Sequence, residues 1–458
     1  MRNAESTIPR LFGTDGVRGT AGKYPLDHAT VRRLGAALIR ALNASRSPSE
    51  RSRPPRLLVG RDTRESGSWI EAELAHGAAG EGATLLSAGV VPTPAIAYLT
   101  RREAFDAGVV ISASHNPFED NGIKVFSGKG EKFTERVEAE VEAIVADTSW
   151  SAKGGPAGPV AQVDLVNAYL EHLRVVIPEP ERLKDFSLAI DCANGATTTV
   201  APQLFSSLGL KTIVTANQPD GRNINLHCGS THPEALERIV AEHGCHMGIA
   251  FDGDGDRAIF IDHRGRIVDG DAVLLMCGRQ LQHEGRLKGG AIVATVMSNI
   301  GLELALKPLG IELVRTGVGD KYVMEEMLKR GLSLGGEQSG HIIFSDYLFT
   351  GDGLCTALNV LRTVASSGRS LADLAGDLTT FPQVLLNVRV RARVNLATVP
   401  AVAAAIGRVE AQLAGQGRLL VRYSGTEPLL RVMLEGRHQD EIRAWAQEIV
   451  DVVKQELG

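Results

Sequence analysis

Three stretches of the chain share one pattern of hydrophobic and polar positions. RLLVGRDTRESGSWIEAELAHGAAGEGATLL (56–86), SLAIDCANGATTTVAPQLFSSLGLKTIV (187–214) and GAIVATVMSNIGLELALKPLGIELV (290–314) each pass from an apolar run through a polar loop and an amphipathic segment to a glycine and a second apolar run. Short apolar runs bounded by turn residues are read as buried strands, and the 3.6-residue period between them as a helix. Each stretch is therefore predicted as a βα unit of a doubly wound sheet. The recurrence predicts three related α/β domains side by side. Beyond 380 the pattern changes: Val384–Val394 alternates like a strand, 397–414 is helical, 418–435 reads as two strands around a loop, and 440–456 is helical with Ile442, Trp445, Ala446, Ile449 and Val453 on one face. The predicted fold class is three related doubly wound mixed-sheet α/β domains plus a smaller C-terminal α+β domain around a central cleft. The expected boundaries are 1–155, 156–262, 263–380 and 381–458, with linkers near 153–162 and 262–268.

Chemistry enters where apolar runs end in polar loops. Ala107–Ile111 reads as a buried strand, and SASHNP (112–117) follows it; Pro117 biases Asn116 away from helix, so Ser114 and His115 are expected on an exposed loop. A serine there can carry a phosphoryl group, but its hydroxyl is a weak nucleophile and needs a base, a cation or both. GIAFDGDGDR (248–257) supplies a cation site, since Asp252, Asp254 and Asp256 alternate with glycines that let the backbone curl. Three such carboxylates suit one hard divalent ion, Mg²⁺ first, with room left for a phosphate oxygen. An EF-hand is excluded, because that loop wants glycine where Arg257 stands and glutamate where His263 stands. RYSGTEP (422–428) combines Arg422, Ser424, Gly425 and Thr426, a mixture suited to a phosphate dianion, and Arg431 adds a second charge. GEQSGH (336–341) offers Glu337, Ser339 and His341, whose polar ends suit sugar hydroxyls; by itself a Gly-rich polar loop is more often a plain turn.

Taken together, FGTDGVRG (12–19), SASHNP, NGIK (121–124), DGDGDR, GEQSGH and RYSGTEP stand in the order found in the α-D-phosphohexomutase superfamily, which the chain resembles from about Arg10 to its C-terminus. FGTDGVRG, GEQSGH and VGDKYV (318–323) are most similar to its bacterial branch that acts on glucosamine phosphates. The resemblance implies a phosphoserine at Ser114, Mg²⁺ on Asp252, Asp254 and Asp256 with the serine phosphate completing the site, and Arg257 on the same phosphoryl group. It further implies that Arg18, His115 and Lys124 line the reaction centre with His341 near the reacting end, that Glu337 and Ser339 read sugar hydroxyls, and that Arg422, Ser424, Gly425 and Thr426 clamp the non-reacting phosphate. A sugar 1,6-bisphosphate is the implied intermediate and activator. The four expected domains would then carry, in turn, the phosphoserine loop, the Mg²⁺ loop, the sugar loop and the phosphate loop. One departure is GVGDK at 317–321, where related enzymes often have KVGDR. A mutase for glucose or mannose phosphates, and more remotely a Mg²⁺-dependent sugar-phosphate phosphatase, are the competing readings.

Composition narrows the class. At 458 residues the chain exceeds a single core. A net charge of −5 gives no general attraction to nucleic acid or membrane, so the expected partner is a small-molecule sugar phosphate, and a homodimer is compatible with the sequence. Cysteines 192, 228, 245, 277 and 355 form no CxxC pair, as expected for reduced thiols in the cytoplasm. MRNAESTIPR lacks an apolar signal core, and no run approaches the roughly 20 apolar residues of a spanning helix. NASRSPSERSRPPR (43–56) is polar and Pro/Ser-rich and is expected to be a mobile surface loop.

Overall fold

The computed structural model describes residues 11–458 apart from 14, 156–158, 414, 416 and 425–427. Its first sheet collects β1 (Val17–Thr20), β2 (Arg56–Arg61), β3 (Thr84–Val90), β4 (Ala107–Ile111), β5 (Asp120–Ser127) and β6 (Ala161–Gln162) in the order β1-β5-β4-β2-β3-β6. Strands β2, β3, β4 and β6 run parallel, whereas β5 pairs antiparallel with both β4 and β1. Helices α1 (His28–Ser45), α2 (Gly67–Gly80), α3 (Thr93–Arg102) and α4 (Glu135–Ala146) supply the crossovers and covering layers. Asp27 starts α1 by accepting the Thr30 N–H at 2.9 Å, an N-cap that satisfies one otherwise unpaired donor.

The second sheet follows α5 (Val166–Arg174) and is built from β7 (Ser187–Asp191), α6 (Val200–Ser207), β8 (Lys211–Thr215), α7 (Glu234–His243), β9 (Met247–Phe251), β10 (Ala258–Asp262) and β11 (Ile267–Val268), in strand order β11-β10-β9-β7-β8. The third part contains α8 (Gly270–His283), β12 (Ala291–Thr295), α9 (Ile300–Leu306), β13 (Glu312–Thr316), α10 (Asp320–Arg330), β14 (Leu334–Gly336), β15 (Ile342–Phe344), α11 (Gly353–Ser367) and α12 (Leu371–Ala375), and its sheet order is β13-β12-β14-β15. Each sheet repeats one plan, a parallel core closed by an antiparallel hairpin: β4–β5, β9–β10 and β14–β15. All five residues of β4, β9 and β12 are buried, because helices cover both faces of a parallel sheet. Each large aliphatic side chain there contributes about 1.5–3 kcal/mol relative to exposure.

The last part is antiparallel throughout: β16 (Gln383–Arg389), α13 (Pro400–Leu413), β17 (Arg418–Tyr423), β18 (Leu429–Glu435) and α14 (Gln439–Leu457), with strand order β16-β18-β17. Its core takes in Ile442, Ala446, Ile449 and Val453, the face expected of α14, with Trp445 partly buried beside them. The three α/β domains and the smaller α+β domain are thus as expected. By internal contacts the chain forms two compact units, one of residues up to Met297 with Glu312–Gly376, the other of Ser298–Ile311, which holds α9, with Asp377–Gly458.

Two local expectations are corrected. Residues 262–268 are not a linker: Ile267 and Val268 pair with Ile261 and Phe260 and close a hairpin at the sheet edge. Ala161 and Gln162, within the other expected linker, add an edge strand by pairing with Leu86 and Ser87. The 43–56 segment lies mostly at the surface as expected, and within it Arg53 forks onto the Asp106 carboxylate at 2.7 and 3.0 Å while the same carboxylate accepts the Arg56 N–H. Its basic character is used internally.

Candidate active site

The shared hairpin plan places the three chemically loaded loops in equivalent positions. Residues 112–119 join β4 to β5, 252–257 join β9 to β10, and 337–341 join β14 to β15. In each case a buried strand delivers a polar loop at its C-terminal end, where doubly wound sheets collect ligands.

Ser114 was expected on an exposed loop, and this is corrected: it lies on the loop but is fully buried. Its backbone turns left-handed, with φ 53°. Its N–H donates to Ser112 Oγ at 2.9 Å and its hydroxyl donates to Asp252 Oδ2 at 2.5 Å. His115 Nδ1 stands 3.4 Å from the same hydroxyl. Burial, together with the Arg257 and Arg18 guanidinium groups, holds the His115 pKa below its ordinary value, favouring the neutral ring.

Asp252, Asp254 and Asp256 are all buried, and one carboxylate oxygen from each lies within 4.8 Å of the others. Lys124, on β5, places Nζ 2.8 Å from Asp254 Oδ2 and 3.2 Å from Asp256 Oδ2. Burial raises Asp252 well above the carboxylate range and the two neighbouring carboxylates add to it; burial pushes Asp256 the same way, but Lys124 and His341 more than reverse it. Lys124 is driven well above its ordinary pKa because Asp15, Asp254 and Asp256 outweigh its burial, so it stays an ammonium. Asp254 Oδ1 and Asp256 Oδ1 are buried and have no hydrogen-bond partner among the described residues. Three hard oxygen donors, two of them with an unused buried oxygen, fit a divalent cation of the Mg²⁺ class.

Beside the triad lies a cavity of about 550 Å³. Arg18, His115, Arg257, Glu337 and His341 line it, as do Asp15 and Asp320, which sequence reasoning missed. Arg18 pairs with Asp15 and reaches Ala113 O at 3.3 Å. Arg257 N–H donates to Asp252 Oδ1 at 3.1 Å. His341 Nε2 accepts the Gly351 N–H at 3.0 Å, leaving Nδ1 toward Asp256 Oδ1 at 3.6 Å; burial lowers its pKa, but Asp256 and Asp320 together raise it above the ordinary value. Glu337 Oε1 accepts the Gly319 N–H at 3.2 Å, and Ser339 is exposed on the same loop. Lys321 turns away to Glu138 at 2.8 Å, so the cation of the departing GVGDK segment is used structurally, whereas Asp320 meets Lys132 and His341.

In the C-terminal unit, register pairs Arg422 directly with Arg431 across β17 and β18. Ser424 is buried next to them and its Oγ accepts from Arg431 Nη2 at 3.5 Å. Gly425 and Thr426 lie outside the described residues.

Comparison with known proteins agrees with this architecture. Four domains of one family match in order: phosphoglucomutase/phosphomannomutase alpha/beta/alpha domain I over residues 9–152, domain II over 167–265, domain III over 269–381, and the C-terminal domain over 385–452. The chain belongs to the phosphohexomutase family. Similar phosphohexomutases include the phosphoglucosamine mutase of Solibacter usitatus, 48% identical over 98% of this chain and 99% of that protein, and that of Koribacter versatilis, 46% identical over 99% and 98%. Among solved structures, a phosphoglucomutase/phosphomannomutase family protein from Burkholderia thailandensis shares the fold with TM-score 0.79 at 23% identity, covering 97% of each chain. N-acetylphosphoglucosamine mutase from Aspergillus fumigatus, solved with GlcNAc-6P and magnesium, shares it with TM-score 0.68 at 18% identity, covering 97% of this chain and 95% of that one. As a phosphohexomutase the chain is an isomerase acting on sugar phosphates.

Within this phosphohexomutase, Asp15 was inside a motif already singled out, and the signal passed over was an acid three residues before Arg18. Asp320 lies in GVGDK, a segment that stands out by Gly317 in place of a cation and Lys321 in place of arginine rather than by its acid. Lys132 carries no motif at all; only the fold brings it to Asp15 and Asp320.

Proposed function

We propose that the protein is a phosphoglucosamine mutase, interconverting glucosamine 6-phosphate and glucosamine 1-phosphate through phospho-Ser114 and a sugar 1,6-bisphosphate. The observation that carries this reading is the 2.5 Å approach of Ser114 Oγ to Asp252, one of three buried converging carboxylates. The glucosamine assignment is supported by curated relatives at 44–48% identity over nearly the whole chain that bear that name.

In this mechanism Ser114 gives its phosphoryl group to one hydroxyl of the bound sugar phosphate, and after the bisphosphate turns round it receives the other phosphate. Mg²⁺ held by Asp252, Asp254 and Asp256 would supply charge stabilisation for the transferred phosphoryl oxygens, most of what this chemistry asks of a protein. Arg257 and the ammonium of Lys124 would add to it, as cations aimed where charge builds up. His115, held neutral, is suited to take or return the sugar hydroxyl proton, and His341 and Arg18 to orient the reacting end. Glu337 and Ser339 would read the sugar hydroxyls. Arg422, Ser424, Gly425, Thr426 and Arg431 would hold the phosphate that is not reacting. We place the enzyme in the cytoplasm, in keeping with five buried unbonded cysteines, and take it to work as a monomer or homodimer.

The test is turnover on glucosamine 6-phosphate, glucose 1-phosphate and mannose 1-phosphate with catalytic sugar bisphosphate, alongside intact mass. The expected result is fastest turnover on the amino sugar, phosphorylation mapping to Ser114, and loss of nearly all turnover in Ser114→Ala. Faster reaction of glucose or mannose phosphate would reassign the substrate, release of inorganic phosphate would make it a phosphatase, and activity in Ser114→Ala would end the phosphoserine reading.

A further inference from the structure

Ser114 does not hold its left-handed turn unaided. Arg64, in the loop after β2, is fully buried and uses each of its five guanidinium N–H groups. Nη2 donates to Ser114 O at 2.9 Å and Asn116 O at 2.8 Å; Nη1 donates to Asp120 O at 3.0 Å and to Pro117 O; Nε donates to Asp62 Oδ2 at 2.9 Å. Three of the five acceptors are carbonyls of the β4–β5 loop and a fourth is that of Asp120, the first residue of β5. The Asp62 carboxylate in turn accepts from Ser112 Oγ, the atom that receives the Ser114 N–H.

A second group completes the grip from the other side. Asn225 Nδ2, in the loop before α7, donates to the same Ser114 O at 2.9 Å and to Asn116 O at 3.1 Å. The loop after β2 fastens this segment as well: Glu65 pairs with Arg222 at 2.8 Å and its N–H donates to Gly221 O at 3.0 Å. Gly253, between two of the triad aspartates, backs directly onto this carbonyl, for a Cβ there would lie 2.4 Å from Ser114 O.

We infer that Arg64 and Asn225 are positioning residues for phosphoryl transfer, fixing the Ser114 peptide so that Oγ faces the aspartate triad. The inference rests on the phosphoserine reading above. A planar guanidinium with five fixed donors can orient four carbonyls at once, which a lysine, with three donors on a flexible stem, cannot. Asn225 sits at φ 58°, a conformation asparagine, aspartate and glycine tolerate, so its side chain can be changed without disturbing the backbone. Displacing a reacting group by about 1 Å can cost about 10²-fold in rate.

The experiment uses the full-length enzyme with Arg64→Lys, Asn225→Asp, Asn225→Gly and, in parallel, Ser114→Ala. kcat and KM are measured on the sugar phosphate the parent turns over fastest, with thermal melting and intact mass after incubation with sugar 1,6-bisphosphate. Both Asn225 variants are expected to lose about 10- to 10²-fold in kcat, with KM within about 2-fold of the parent and slower Ser114 phosphorylation; both melt lower than the parent because two buried carbonyls lose their donor, so kcat is read well below the melting transition. Arg64→Lys is expected to lose more. If Arg64→Lys fails to fold, the two Asn225 variants decide. Parental kcat in folded Asn225→Asp and Asn225→Gly would overturn the inference, as would a loss confined to thermal stability. Should those variants be fully active while Ser114→Ala is dead, only the positioning role falls; an active Ser114→Ala removes the phosphoserine reading itself.

Discussion

Lys124 Nζ and Asp254 Oδ2 stand 2.8 Å apart with both side chains out of water. One ammonium faces two of the three clustered carboxylates and offsets their charge. Removing one partner of a buried pair costs about 3–5 kcal/mol, because the remaining charge is stranded. Lys124→Met is therefore expected to lower the melting temperature of the metal-free protein. Saturating Mg²⁺ should raise it more in the variant than in the parent, since an ion bound only by the folded state stabilises by mass action and here takes over the missing charge. Melting curves in EDTA and in Mg²⁺ check this; no Mg²⁺ shift in either protein would remove the triad as a metal site. In the parent, EDTA should abolish turnover and Mg²⁺ restore it.

A pH prediction follows from Asp191, buried at the end of β7. Burial pushes its pKa from 3.8 up to about 6, although the N–H groups of Gly229 and Ala193 donate to it at 2.9 and 2.8 Å and pull the other way. Between those two values the folded state binds more protons than the unfolded state, so this residue costs stability increasingly as pH rises through the window and nothing below it. The full penalty is about 3 kcal/mol at neutral pH. Asp191→Asn loses the titration but also places an amide N–H against a backbone donor, a pH-independent cost. Its stability relative to the parent should therefore improve by about 2.4 kcal/mol from pH 4 to pH 7, read as the difference between urea unfolding midpoints. A difference that does not vary with pH would show that Asp191 is already ionised in the folded protein at pH 4.

What could be read from the chain before the structure depended on range. The strands β2, β7 and β12 open the three sequence repeats because strands buried on both faces leave continuous apolar runs. The loops around Ser114, Asp252 and Glu337 were legible because glycine and proline punctuate them. β6 and β11 were not, being two residues each with no periodicity to detect. The burial of Ser114 was also hidden, since its carbonyl is held by Arg64 and Asn225, 50 and 111 residues away in the chain. The same holds for Lys132, whose partners Asp15 and Asp320 lie 117 and 188 residues away. Short-range turn chemistry shows in a sequence; long-range polar partners need the fold.

Two helix glycines with opposite surroundings give a final, internally controlled prediction. Gly77 lies where α2 crosses α1, and a Cβ there would stand 1.9 Å from Arg32 O, a backbone atom that cannot move aside alone. Gly407 is exposed on α13 with nothing within 4 Å of a Cβ. Replacing a helical glycine by alanine gains about 1 kcal/mol of intrinsic propensity at either position. At Gly77 the helices must separate, and overpacking of this kind costs about 1–3 kcal/mol or more, so steric cost outweighs propensity. Gly77→Ala should therefore melt lower than the parent and Gly407→Ala higher. Equal shifts of the same sign would mean that α1 and α2 do not meet at this distance, and the close crossing that carries the outer layer of the first sheet would have to be redrawn.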